Sequence, residues 1–375
     1  MKIALIGYEA NIQKRVGSNQ YAFELMKALY QLDQKNQYTI YLPTPPLSDL
    51  PPARDGWRYK VVGPSKLWNF FALPLALIKQ TPKPDVVFNP GHYTPLFFPA
   101  PLVISIMDLG YLRFPQHYTK SIYWKLILWT ALSIKRAASI LTISQASKND
   151  IIKHYKVKAE KIDVEYLGYD EKSFQFPIPD SRIEKAKNKY KIVGDYLLFL
   201  STLKPSKNVE GLLKAFKSVK PKTKNKKLSL VIAGKKGWLF ERIFEEVKAL
   251  DLEEKVLFTD FVDEEDVPAL MAGAKAFVLP SFWEGFGIPV VEAMAVGTPV
   301  VVSKAGSLPE IVNESGLIVD PGNTQEIARG INKIINDKTL GERLRKEGLF
   351  RVKKFNWDEC ARKTLLVLEK IGNNK

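Results

Sequence analysis

Short, almost wholly apolar runs recur along the chain, most of them closed by a small or turn-forming residue before a helical pattern begins. Lys2-Ile-Ala-Leu-Ile-Gly7, Asp85-Val-Val-Phe88, Leu102-Val-Ile-Ser-Ile106 and Ile140-Leu-Thr-Ile143 do so in the first half. Tyr196-Leu-Leu-Phe-Leu200, Ser229-Leu-Val-Ile-Ala233, Ala274-Lys-Ala-Phe-Val-Leu279 and Val300-Val-Val302 do so in the second. A strand with polar residues on one face alternates. A strand that is apolar throughout is covered on both faces, which is the signature of parallel sheets with crossover helices. Between these runs lie helical periods, such as Tyr21, Leu25, Ala28, Leu29 and Leu32 on one face of residues 19–32. Strand and helix alternating at this spacing predict doubly wound α/β domains, with the chemistry in the loops at the carboxyl ends of the strands. Tyr38–Leu42, Tyr59–Val62 and Val256–Phe258 read as further strands. Helices are expected over residues 67–79 (broken or kinked at Pro74), 119–138, 209–218, 238–250, 266–272 and 356–371.

A length of 375 residues suits two domains. Residues 170–195, with Pro177, Pro179 and a lysine-rich helix, read as the linker. The net charge of +16 is divided between the halves: 22 Lys+Arg against 13 Asp+Glu up to residue 175, and 34 against 27 beyond it. Nucleic acid, an anionic membrane surface and phosphorylated substrates are all partners for such an excess, and so is solubility alone. The lysine run 220–227 reads as a solvated loop. A single cysteine, Cys360, excludes an intrachain disulfide and suits a reducing compartment. The first apolar run is too short for a signal peptide, and no stretch approaches the roughly 18 apolar residues of a membrane span. Asp-x-Asp is absent, as is any His–carboxylate spacing typical of metal ligands, so no metal is expected. Gly-x-Gly-x-x-Gly is also absent, which argues against a dinucleotide cofactor.

The densest chemistry lies in Pro280-Ser-Phe-Trp-Glu284-Gly-Phe-Gly287-Ile-Pro289-Val-Val-Glu292-Ala-Met-Ala-Val-Gly297-Thr-Pro299. Pro289 suits a first helical turn and Gly297 a helix end. Gly285, Phe286, Gly287 and Ile288 therefore sit at a helix N-terminus just past a strand. Outward N–H groups and the positive dipole end favour an anion such as a diphosphate there. Glu284 enters this turn and Glu292 leaves it on the helix wall. Lys204-Pro-Ser-Lys207-Asn208 opens another helix after the strand at 196–200, and a lysine at that mouth neutralises phosphate charge. Taken singly, Lys207 is a surface lysine and a lone Gly-x-Gly a tight turn.

The whole string closely resembles the Glu-x7-Glu signature of the family 4 retaining glycosyltransferases, which have the GT-B fold. That resemblance implies two Rossmann-like domains facing a cleft, with a last helix that crosses back to the first domain. The expected boundaries are 1–175 plus 357–375 for an acceptor-side domain and 176–356 for a nucleotide-sugar-binding domain. It further implies that Glu284 binds hydroxyls of the transferred sugar and Glu292 the nucleotide ribose. A carboxylate accepts two hydroxyl hydrogen bonds at once, which suits both tasks.

Ser201-Thr-Leu-Lys-Pro-Ser-Lys207-Asn resembles the family's diphosphate-gripping Gly-x-Leu-x-x-Arg-Lys-Asn segment, with Ser206 where arginine is usual. Val231-Ile-Ala-Gly234-Lys-Lys-Gly237-Trp238 resembles the variant of mannosyltransferase-like members. Phe261-Val262-Asp263 resembles the loop framing the base, with Asp260 in place of a glycine. Gly17 resembles the first-domain glycine that approaches the donor phosphate. Met107 and Asp108 align with a segment that normally carries histidine at the Met107 position, where it contacts the donor sugar. A thioether donates no strong hydrogen bond and carries no charge. Of the histidines, His92 is the one expected near the site, and His117 and His154 are expected exposed.

The resemblance thus implies metal-independent, retaining transfer of a hexosyl unit, with GDP-mannose favoured over UDP-sugars as donor. The acceptor is a glycan or a lipid-linked saccharide, and the site of action is cytoplasmic, at the inner face of the membrane. No nucleic-acid partner is expected. Three alternatives follow from particular residues: a catalytically impaired sugar-nucleotide-binding member (from Met107), a nucleic-acid-binding protein (from charge alone), and a sugar-nucleotide epimerase on the same fold. Residues 119–138 place Lys120, Lys125, Lys135 and Arg136 beside Tyr123, Trp124 and Trp129. An interfacial membrane helix and a core-packed helix with exposed lysines both have this composition, and the core-packed reading is slightly preferred.

Overall fold

The structure is a computed structural model that describes residues 1–92, 94, 97–220, 228–237 and 240–373. The lysine run 221–227, Trp238 and residues 93, 95 and 96 of the loop around His92 lie outside the described residues. The chain divides into two compact units, Met1–Gly168 with Asn356–Lys375, and Tyr169–Phe355.

Among the described residues the first unit holds seven strands: β1 Lys2–Ile6, β2 Gln37–Leu42, β3 Trp57–Val61, β4 Val86–Asn89, β5 Leu102–Ile106, β6 Ser139–Thr142 and β7 Ile162–Val164. They form one parallel sheet in the order β3-β2-β1-β4-β5-β6-β7. The order reverses beside β1, as in doubly wound sheets, so the loops after β1 and β4 diverge at the carboxyl edge. β4 and β5 are buried along their whole length, which is why their sequences lack alternation.

The last helix, Trp357–Asn373, belongs to this first unit and packs on helix Ser18–Leu32. The Tyr21 and Trp357 rings lie 6.4 Å apart. Beneath the helix Tyr21 donates to buried Glu165 at 2.5 Å, and Thr364 donates to the same carboxylate. Gly168 is where the chain passes under this helix: a Cβ there would lie 2.4 Å from the Trp357 amide nitrogen.

The second unit holds β8 Asp195–Leu200, β9 Leu228–Ala233, β10 Val256–Asp260, β11 Ala276–Leu279, β12 Val300–Ser303 and β13 Leu317–Val319, again among the described residues. These are parallel in the order β10-β9-β8-β11-β12-β13.

Several expectations shift. β7 and β13 are three-residue strands too short to show a period, and were not anticipated. The helix expected from residue 67 begins at Ala72, which puts Pro74 in its first turn, where its missing N–H breaks no helical bond. The lysine-rich helix expected in the linker is Asp180–Lys189. This helix packs within the second unit, where Lys189 reaches Asp263 at 2.7 Å and Tyr190 donates to Asp266 at 3.0 Å.

Candidate active site

β8, β11 and β12 are neighbours in the second sheet, so the loops that follow them leave the same edge side by side. The loop after β8 ends in a tight turn, Pro205–Lys207, and then Asn208 in a left-handed conformation (φ 56°) opens helix Val209–Lys217. The buried Asn208 amide donates to the carbonyls of Pro280 at 3.1 Å and Pro321 at 2.7 Å, while the Phe282 amide donates to the Ser206 carbonyl at 2.8 Å. Gly211 leaves the space that the Asn208 side chain fills, since a Cβ there would meet Asn208 Oδ1 at 2.3 Å. The loop after β8 is thereby stitched to the loop after β11.

The stitching sets Lys207 Nζ 2.6 Å from Glu284 Oε1. Ser281 Oγ donates to the same oxygen at 2.7 Å. The Glu284 backbone is held from the loop after β12, where the Ser307 amide donates to its carbonyl at 3.0 Å and Ser307 Oγ donates to the Phe286 carbonyl at 2.9 Å. This approach requires a glycine at 306: φ is +63°, and a Cβ would lie 2.2 Å from the Glu284 carbonyl oxygen. Ser281, Gly306 and Ser307 were not read from the sequence as site residues.

Gly287 (φ 94°) then turns the chain into helix Ile288–Ala295, with Pro289 in the first turn. Gly285 precedes this turn, and the Phe286 ring is buried edge-on against Phe355 at 5.7 Å. Glu292 lies one turn along the helix. Burial, followed by the nearby charges of Asp170 and Glu264, pushes its carboxyl up to about 8.

Gly234 follows β9. A Cβ there would lie 1.9 Å from the Ser201 carbonyl oxygen, so this glycine is what lets the loops after β8 and β9 touch. Asp260 occupies a left-handed conformation (φ 53°), the geometry that makes a glycine usual at such a position, and Val262, two residues on, is buried.

In the first unit, Gly17 (φ 58°) starts helix Ser18–Leu32 after β1. Met107 and Asp108 follow β5. Met107 is buried, and its carbonyl accepts from Ser147 Oγ at 2.9 Å. Asp108 Oδ1 accepts from the amide of Gly110 at 2.7 Å, at the start of the short helix Gly110–Arg113. His92 is held against Asp108: burial lowers its pKa, and the Asp108 charge and backbone oppose that shift. Glu9, in the loop after β1 and also absent from the sequence reading, accepts from Asn19 of helix Ser18–Leu32, and burial raises its pKa. Among the described residues no three His, Cys, Asp or Glu side chains are grouped as metal ligands. The described part of the structure has no helix long and apolar enough to cross a membrane.

Two parallel-sheet Rossmann-like units, the last helix returned to the first, and a Lys–Glu pair at a helix mouth in the second define a GT-B glycosyltransferase. Residues 16–173 match the family described as Glycosyltransferase Family 4, and residues 180–349 match the family described as Glycosyl transferases group 1. The chain belongs to the family 4 glycosyltransferases and is a hexosyltransferase.

The O-antigen chain mannosyltransferase B of Escherichia coli is 27% identical over 284 residues, covering 76% of this chain and 74% of that protein. The serotype-specific mannosyltransferase WbdA of the same organism is 29% identical over 60% of this chain, which spans only 28% of WbdA. Among solved structures, sucrose-phosphate synthase from Thermosynechococcus elongatus superposes with a TM-score of 0.78 at 20% identity, over 100% of both chains. Anabaena HepE in complex with UDP and glucose gives 0.75 at 21% identity, over 99% of this chain and 100% of that one. The impaired-binder and nucleic-acid readings gain no support from these likenesses.

Proposed function

We propose that this hexosyltransferase moves a mannosyl unit from a nucleotide-diphosphate sugar, GDP-mannose before UDP-sugars, to a glycan or lipid-linked acceptor in envelope polysaccharide assembly, with retention at the anomeric carbon and without a metal. The observation that carries this reading is Lys207 set 2.6 Å from Glu284 beside the start of helix Ile288–Ala295. Lys207 and the amides of Phe286, Gly287 and Ile288 at the helix start supply positive charge for a leaving diphosphate, the task a metal performs elsewhere. Glu284 accepts hydroxyls of the sugar, Glu292 those of the ribose, and Val262 with Gly234 borders the base. The unit Tyr169–Phe355 is the donor-binding domain in this reading, and the other unit carries the acceptor side with Gly17, Met107 and Asp108. The leaving phosphate takes the acceptor's proton, so transfer needs no protein nucleophile. The mannose preference follows the names of the two E. coli relatives.

A cytoplasmic site at the inner membrane face belongs to the same proposal. Helix Lys120–Arg136 fully buries only Thr130, Ser133 and Ile134, and exposes Ile122, Trp124, Leu128 and Leu132 beside its lysines. The core-packed reading of this helix therefore accounts for one side alone. Helix Ala72–Lys79 exposes Leu75 and Ile78, and Phe70, just before it, packs on Trp129 at 5.0 Å. Exposed aromatic and aliphatic side chains among lysines suit an anionic lipid surface.

The test is a melting-temperature panel of GDP, UDP and their hexoses, followed by turnover of whichever donor stabilises the fold. GDP-mannose is expected to raise the melting temperature. Lys207→Ala should weaken donor binding about tenfold or more, and Glu284→Ala should abolish transfer. Wild-type affinity and rate in both variants would remove the assignment. A product of inverted anomeric configuration by NMR would remove retention.

A further inference from the structure

The Lys207 and Glu284 side chains are only 13% and 11% exposed, and each is the other's opposite charge. Lys207 and Ser281 both address Glu284 Oε1, at 2.6 and 2.7 Å. Ser281 is itself fully buried, and its carbonyl accepts from Ser303 Oγ at 2.5 Å, so its hydroxyl is a fixed support and not a surface group. Separating a largely buried ion pair is costly unless each charge receives a replacement partner.

From this geometry we infer that Glu284 holds Lys207 in the empty enzyme, that an intact sugar nucleotide replaces both halves of the pair at once, and that Ser281 is the positioning residue that keeps Glu284 in place after Lys207 leaves. The inference rests on the proposed roles of Lys207 at the diphosphate and Glu284 at the sugar. The diphosphate takes Lys207. The sugar hydroxyls take Glu284, which retains the Ser281 bond on Oε1. A nucleoside diphosphate without its sugar supplies only the first replacement and leaves Glu284 short of one partner. The same pair therefore discriminates intact donor from spent product, favouring release of the diphosphate after transfer.

The experiment is calorimetric titration of GDP and UDP, and of GDP-mannose and UDP-glucose, into wild type, Glu284→Gln, Lys207→Met and the double variant. Melting temperatures are recorded to confirm folding. If Lys207 is held by Glu284, Glu284→Gln tightens nucleoside diphosphate binding at least threefold in the wild-type background and not in the Lys207→Met background, while it weakens the intact donor. An equal gain in both backgrounds would show simple charge repulsion, and no gain would show that the pair does not compete; either result overturns the inference. The underlying reading fails separately, if Lys207→Met leaves diphosphate affinity unchanged or no nucleoside diphosphate binds wild type. Ser281→Ala is expected to keep diphosphate affinity within about twofold and to lower that of the intact donor at least fivefold. Equal losses for both ligands would mark Ser281 as structural only.

Discussion

At the residue scale, the feature with the clearest solution signature is Glu292. Its carboxyl, pushed up to about 8 by burial and by Asp170 and Glu264, is mostly protonated at pH 7 in the empty protein. Ribose hydroxyls donate best to the ionised form. With that value roughly a tenth of the molecules carry the charge at pH 7 and about nine-tenths at pH 9. Affinity for a nucleoside diphosphate should therefore rise about tenfold over that span. The check is the same titration on Glu292→Gln, which shares the ligand's own ionisation but should lose the rise; parallel profiles would take Glu292 off the ribose. Met107 is one of the residues at which the family pattern departs, and the structure gives it a packing role. It is buried, and the backbone beside it is held by Ser147.

At the element scale, two helices carry separate consequences. The last helix, Trp357–Asn373, is pinned to the first sheet through Glu165, which accepts from both Tyr21 and Thr364. Burial pushes this carboxyl up to about 7, against those hydrogen bonds and the charge of Lys363. A carboxyl raised in the folded state contributes stability that is complete below its unfolded value near 4.5 and is lost as pH rises through 7. The loss amounts to roughly 3 kcal/mol. Glu165→Gln mimics the protonated form, so wild type and variant should melt together near pH 4.5, and above pH 7 the variant should be the more stable. Identical melting profiles at both pH values would contradict this account.

Helix Lys120–Arg136 makes the other prediction. Removing its exposed apolar side chains with Trp124→Ala and Leu128→Ala should reduce sedimentation with phosphatidylglycerol vesicles about tenfold or more, with the melting temperature unchanged. Vesicle binding that survives both substitutions would place the lipid contact elsewhere or remove it.

At the scale of the whole molecule, the +16 charge is shared by both halves and so does not mark one binding tail. If it serves an anionic surface, vesicle binding should fall steeply between low and physiological salt, because the attraction is screened beyond about 8 Å at 0.15 M. What the sequence determined by itself was whatever depends on neighbours along the chain. Apolar runs such as 102–106 and 196–200 specified buried parallel strands, and Gly287, Pro289 and Gly297 specified where one helix starts and stops. With the Glu-x7-Glu pattern, that sufficed for the family and the two-sheet architecture. β7 and β13 escape because three residues hold no period, and the lysine-rich composition of helix Asp180–Lys189 shows its exposure but not what it packs on. The tertiary structure alone decided that Lys207 would meet Glu284, 77 positions away, that Ser281 would share the same oxygen, and that Gly306 and Ser307 would hold the backbone beneath. The reason is sheet order: β8 lies beside β11 and β11 beside β12. Three loops distant in sequence therefore leave one edge within hydrogen-bonding reach, a proximity that no local pattern encodes.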